Sequence, residues 1–133
     1  DRLITPANSG TAVAAPSNIH GIDYDSLSGS LILSDVGSAT VADDGKIYVL
    51  NNVATASGLV NISTTISGPN TLLGNPVDIM YTGTDLYVAE KSNNVVMRFN
   101  NILSSAGGDI SADTSTAFTA PESIAILPAW LNK

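Results

Sequence analysis

Residues 75–102 read Asn75-Pro76-Val77-Asp78-Ile79-Met80-Tyr81-Thr82-Gly83-Thr84-Asp85-Leu86-Tyr87-Val88-Ala89-Glu90-Lys91-Ser92-Asn93-Asn94-Val95-Val96-Met97-Arg98-Phe99-Asn100-Asn101-Ile102. Three short apolar runs stand out: Val77 to Tyr81, Leu86 to Ala89 and Val95 to Phe99. Polar turns rich in Gly, Asn, Asp and Thr separate them. Runs of this length, rich in Val, Ile and Tyr, predict strands in an up-and-down meander. The gaps are too short for crossover helices, so neighbouring strands are expected to be antiparallel.

The same unit occurs earlier. In Asn18 to Asp35, Ile22 falls on Ile79, Tyr24 on Tyr81, and Leu31-Ile32-Leu33 near Leu86-Tyr87-Val88. A longer loop, 35–45, leads to Lys46 to Val53, which matches Val95 to Ile102. A further copy begins at Pro121-Glu122-Ser123-Ile124-Ala125-Ile126, predicting an inner strand over 121–127, and a partial copy opens the chain. The spacing, roughly 45 to 57 residues, is within or slightly above that of propeller blades. An outer strand is expected near residues 59–66 and a helical turn near 101–106. Pro6 predicts a sheet edge or strand end. Trp130 belongs to a tail that packs on the surface or caps an open core.

Gly21-Ile22-Asp23-Tyr24-Asp25 with Gly29-Ser30-Leu31-Ile32-Leu33-Ser34-Asp35 resembles the signature of NHL- and YVTN-type β-propeller repeats. Asn75-Pro76-Val77-Asp78-Ile79, Asp85-Leu86-Tyr87-Val88-Ala89-Glu90 and Asn93 to Phe99 match it more fully. The connector 66–76 is similar to inter-blade segments of secreted bacterial proteins of this sort. The resemblance implies an all-β fold: an arc of about two to three four-stranded antiparallel blades, against ~4–8 in a closed ring. The expected units are 1–16 (partial), 17–74, 75–120 and 121–133 (partial), within one domain, 1–133. An open arc leaves unpaired edges, so the expectation is an excerpt whose missing blades lie in a longer chain, or self-association of copies.

Composition narrows the function classes. With 133 residues the chain can bury a core. A formal charge of -7 and only five scattered Lys and Arg argue against nucleic acid. No apolar stretch approaches the ~20 residues of a membrane-spanning helix. The absence of cysteine removes disulfides, thiol nucleophiles and thiolate metal sites. Abundant Ser, Thr and Asn with 13% charged residues suit a secreted, cell-surface or periplasmic protein.

The resemblance implies that the first strand of each blade lines a channel, with ligand groups where it begins. Those positions include Asn18 and His20, Asn75 and Asp78, and Glu122. His20, Val77 and Glu122 become equivalent, as do Gly21, Asp78 and Ser123. His20, Asp78 and Glu122 are suitable metal or polar-ligand donors, and solvated residues bonded to neighbouring backbone are the structural alternative. Asp35 with Asp43 and Asp44 forms a second acidic group, open to calcium or to turn capping. Asp23-Tyr24-Asp25 does not fit an EF-hand loop. The single histidine, His20, lacks a G-x-S-x-G elbow, and nothing selects a carboxylate pair for glycoside chemistry. Tyr24, Tyr48, Tyr81 and Tyr87 read as packing residues. No cofactor is expected, with calcium as the exception. The leading expectation is a noncatalytic binding or scaffold module engaging protein or glycan. The alternatives are a metal-dependent propeller hydrolase or lactonase with an incomplete site, and a structural subunit of a surface assembly.

Overall fold

A computed structural model describes residues 2–38 and 40–127; Asp1, which opens the first unit, and the tail with Trp130 lie outside the described residues. The chain is all-β. Its strands are β1 Ile4–Asn8, β2 Thr11–Ala12, β3 Ile19–Asp25, β4 Ser30–Asp35, β5 Lys46–Leu50, β6 Gly58–Asn61, β7 Thr64–Ser67, β8 Pro76–Tyr81, β9 Leu86–Glu90, β10 Val95–Phe99 and β11 Thr114–Ala117. Short 3-10 turns occupy Val53–Thr55, Pro69–Thr71 and Ile102–Ser104. No helix among the described residues is long and apolar enough to cross a membrane.

The strands form three sheets: an N-terminal sheet β2-β1-β6, a middle sheet β3-β4-β5-β7 and a third sheet β8-β9-β10-β11. The middle and third sheets are antiparallel throughout. Local turn chemistry sets their hairpins. Between β3 and β4, the Asp25 carboxylate accepts the Leu27 and Ser28 N–H groups and Gly29 takes φ 69. Between β8 and β9, Gly83 takes φ 96 while the Thr82 hydroxyl accepts the Asp85 N–H. Such side-chain acceptors replace ladder partners at the reversal. After β5 and β10 the chain turns identically: Asn52 (φ 58) and Asn101 (φ 48) sit in the left-handed region, each leading a 3-10 turn that buries Val53 or Ile102.

Alternation decides the layers. Ile32, Ile47, Val49 and Ile66 of the middle sheet pack against Ile79, Leu86, Val88, Val95, Met97 and Phe99 of the third. The opposite face of the middle sheet, with Leu33, Tyr48 and Leu50, meets Ile4, Val13, Val60 and Ile62 of the N-terminal region. The middle sheet is therefore covered on both faces, and each large side chain fully buried there contributes about 1.5–3 kcal/mol. The inner strands β3 and β8 lie side by side. A Cβ on Gly21 would sit 2.7 Å from the Ser34 hydroxyl and 2.9 Å from the Ile79 backbone nitrogen, so this crossing requires glycine.

Three expectations need correction. The stretch 59–66 is two strands, not one: β6 leaves the middle sheet and pairs in parallel with β1, while β7 completes the meander. Pro6 is in a central strand rather than at an edge. Its missing N–H is tolerated because β2 spans only Thr11–Ala12, and Pro6 faces Val13 beyond that strand, whose N–H donates to the Pro6 carbonyl. Residues 121–127 form no strand; among the described residues no returning strand pairs with them, and Ile126 and Leu127 stay exposed.

Candidate functional site

The beginnings of β3 and β8 share one construction. Each strand bulges near its start, between Ile19 and Ile22 in β3 and between Pro76 and Asp78 in β8. A bulge leaves an amide without its ladder partner. In β3 the Gly21 amide within the bulge donates to the Ser34 hydroxyl at 2.8 Å, and in both sheets a buried carboxylate at the end of the second strand collects donors from just before the inner strand and just after its own. Asp35 accepts the Asn18 N–H (2.6 Å), the Gly37 N–H (2.9 Å), the Ser17 hydroxyl (2.8 Å) and the Tyr48 hydroxyl (3.1 Å). Glu90 accepts the N–H groups of Gly74, Asn75, Ser92 and Asn93 at 2.8–3.2 Å. Neither acid is solvent-accessible.

Their electrostatics differ. Burial pushes the Asp35 carboxyl up, but the Asn18 and Gly37 amides and the two hydroxyls outweigh it and hold it below the ordinary aspartate value. Burial of Glu90 is the larger effect, and its backbone donors only partly offset it, so its pKa is raised. Burial, with the Asp35 charge and hydrogen bond, raises the Tyr48 phenol far above its ordinary value.

The residues singled out from sequence are dispersed among such roles. Asn18 uses its backbone on Asp35, and its side-chain nitrogen lies 3.2 Å from Nε2 of the exposed His20. Asn75 uses its backbone on Glu90, while its Oδ1 is buried without a protein partner. Asp78 Oδ1 accepts the Ile79 N–H, and its Oδ2 accepts the Ser123 hydroxyl (2.9 Å) and the Ile124 N–H (3.0 Å). Glu122 is ion-paired with Lys91. Asp43 is exposed. Asp44 Oδ2 accepts the Ser38 N–H beside the Gly37 amide held by Asp35, and its Oδ1 is buried without a partner. Among the described residues no three His, Asp or Glu side chains gather closely enough to hold a metal ion.

Asp23, which the sequence marks only within a segment that does not fit an EF-hand loop, has a structural role. Asp23 Oδ1 accepts the Tyr24 N–H, and its Oδ2 crosses to the Tyr81 N–H at 2.6 Å. Asp23 therefore ties β3 to β8 as Asp78 ties β8 to residues 123–124. The shared signal was an acid inside each inner strand, but the two acids do not fall on equivalent positions of the repeat alignment. Burial, then Asp25, Asp23 and Asp85, raises the pKa of Tyr81 and keeps it a neutral phenol. The arrangement thus supplies rigid strand-to-strand ties and exposed loops. His20 has Asn18 as its side-chain partner, with no serine hydroxyl or carboxylate in hydrogen-bond reach among the described residues. Comparison with family models, curated proteins and solved structures found no match to the chain.

Proposed function

We propose that this chain is an arc of an NHL/YVTN-type β-propeller acting as a noncatalytic binding or scaffold module outside the cytoplasm, with protein or glycan as its partner. One observation carries the reading. The middle and third sheets are four-stranded meanders of the same order, stacked face to face with their first strands adjacent. That is the relation between successive blades around a propeller axis. The acids at the start of the inner strands serve the backbone, which favours a scaffold over a hydrolytic centre.

Self-association belongs to the same proposal. By strand alternation, Tyr87, Val96 and Arg98 lie on the third sheet's face away from the middle sheet and are half-buried. A sheet face that is only partly covered, and the β11 edge with no further strand among the described residues, favour stacking of a further sheet.

Two measurements test the proposal. Light scattering across a concentration series is expected to show reversible association; a strict monomer throughout would remove the stacking part. Metal-stripped and calcium-loaded protein is expected to be inert toward a panel of esters and lactones. Turnover that disappeared in His20→Ala or Asp78→Ala would replace the scaffold reading with a hydrolase.

A further inference from the structure

A cleft of about 340 Å³ opens between the N-terminal sheet and the outer half of the middle sheet. Its volume is within the range of small-molecule sites. Val13 and Pro16 form one wall, Lys46 and Tyr48 of β5 with Thr65 of β7 the other, and Asn8 stands at the end of β1. Thr65 pairs directly with Tyr48 across the ladder, and Lys46 and Tyr48, two apart in one strand, share a face. None of these residues belongs to the inner-strand positions considered above.

The chemistry of the cleft is uneven. Lys46 donates to the Asp44 carbonyl at 2.9 Å. Among the described residues the only ion pair is Lys91 with Glu122. The Lys46 ammonium, with three donors, therefore has capacity left and forms no ion pair, although Asp35 stands opposite it in the ladder, in a chain with twelve acids and five bases. Asp35, the cross-strand partner of Lys46, has both oxygens taken by four other donors, among them the Tyr48 hydroxyl at 3.1 Å. Thr65 and Asn8 add a hydroxyl and a carboxamide. A single cation suits one carboxylate better than a phosphate, which usually needs several backbone amides or a second base.

We infer that this cleft binds a small hydroxylated or amide-bearing organic carboxylate, its anionic group on Lys46, its polar groups on Thr65 and Asn8, and its carbon skeleton against Val13 and Pro16. The inference does not depend on the propeller reading, since the cleft needs only the packing of the N-terminal region on β5 and β7.

The test is a heteronuclear NMR titration of the isotope-labelled full chain with sodium glucuronate, with N-acetylglycine as a peptide-terminus analogue, and with glucose as the neutral control. Saturable shifts at the Lys46, Tyr48 and Thr65 amides are expected with at least one carboxylate and not with glucose. Glucuronate alone would identify a sugar acid, N-acetylglycine alone a peptide carboxyl terminus, and both the shared carboxylate. Lys46→Gln is expected to weaken binding at least about tenfold through loss of a charge-assisted hydrogen bond. Thr65→Val would weaken it less, and Lys91→Gln would leave it unchanged. The inference is overturned if neither carboxylate gives saturable shifts, if glucose shifts the same amides equally, or if folded Lys46→Gln binds as the parent does.

Discussion

Replacing Glu90 by Gln is expected to destabilise the fold far more than replacing Asp35 by Asn, although both changes are isosteric and remove one buried charge at matching places. The donors decide the difference. Every polar partner of Glu90 is a backbone N–H: Gly74 and Asn75 on Oε2, and Asn75, Ser92 and Asn93 on Oε1. Whichever way a Gln amide is turned, its NH2 faces backbone donors that cannot accept. About two buried N–H groups lose their acceptor, at about 1–3 kcal/mol each. Relief of the carboxylate's desolvation returns part of this, leaving a net loss of about 3 kcal/mol. Asp35 divides its partners otherwise. Its Oδ1 takes two backbone amides, but its Oδ2 takes the Ser17 and Tyr48 hydroxyls. A hydroxyl can rotate to accept, so an Asn can keep its oxygen on the amides and donate to both hydroxyls. The expected cost is about 1 kcal/mol, from lost charge assistance. Equilibrium urea unfolding followed by far-ultraviolet circular dichroism measures both. Equal losses, or a larger loss for Asp35→Asn, would refute this account of how the two acids hold their loops.

Gly21→Ala should cost about 2 kcal/mol or more in the same assay, because its methyl group meets the Ile79 backbone, which cannot yield without separating β3 from β8. Phe99→Ala, at the fully buried centre between the middle and third sheets, should cost about 3–5 kcal/mol. Asp78→Ala should cost about 1 kcal/mol, since the Ile79 N–H loses its Oδ1 acceptor, and speed hydrogen exchange at Ile124, whose N–H its Oδ2 accepts; unchanged exchange there would show that the tie is not formed in solution. Stability should peak in mildly acid solution. The raised Glu90 pKa means the folded state holds more protons just above the ordinary glutamate value, so stability falls as pH rises through that window; the lowered Asp35 pKa makes its contribution vanish as pH drops below about 4. A urea-unfolding series against pH checks both limbs.

The strands that pack the middle and third sheets together were legible because a half-buried strand must alternate. Leu86, Val88, Val95, Met97 and Phe99 face one way and Tyr87, Val96 and Arg98 the other. The turn after the third strand was legible only in part: a helical turn near 101–106 matches the 3-10 turn at Ile102–Ser104, but its counterpart at Asn52 reads as strand, and both Asn52 and Asn101 take positive φ, a conformation that Asn tolerates. The N-terminal sheet was not legible. Its key pairing joins Ile4–Ala7 to Gly58–Asn61 in parallel across more than fifty residues, and a four-residue apolar segment carries no mark of its partner. Residues 121–127 have a strand's composition, but composition supplies no neighbouring ladder.

The acids expose a deeper limit of reading sites from sequence. Asp78 reads as a ligand because the propeller resemblance places ligand groups where an inner strand begins, and Asp35 because it groups with Asp43 and Asp44. Bulges and tight turns concentrate at those same ends, and each leaves N–H groups without a ladder partner. A buried amide without an acceptor costs about as much as a lost hydrogen bond, so the fold itself demands acceptors there. Asp23, Asp35, Asp78 and Glu90 answer that demand with seven of their eight carboxylate oxygens, the eighth, Asp35 Oδ2, accepting the Ser17 and Tyr48 hydroxyls. Lys46 is the opposite case: it drew no attention as a site residue because one lysine in a strand carries no pattern. Its significance lies in the cleft it lines with residues 13–16 and in its forming no ion pair there, neither of which any spacing in the sequence marks.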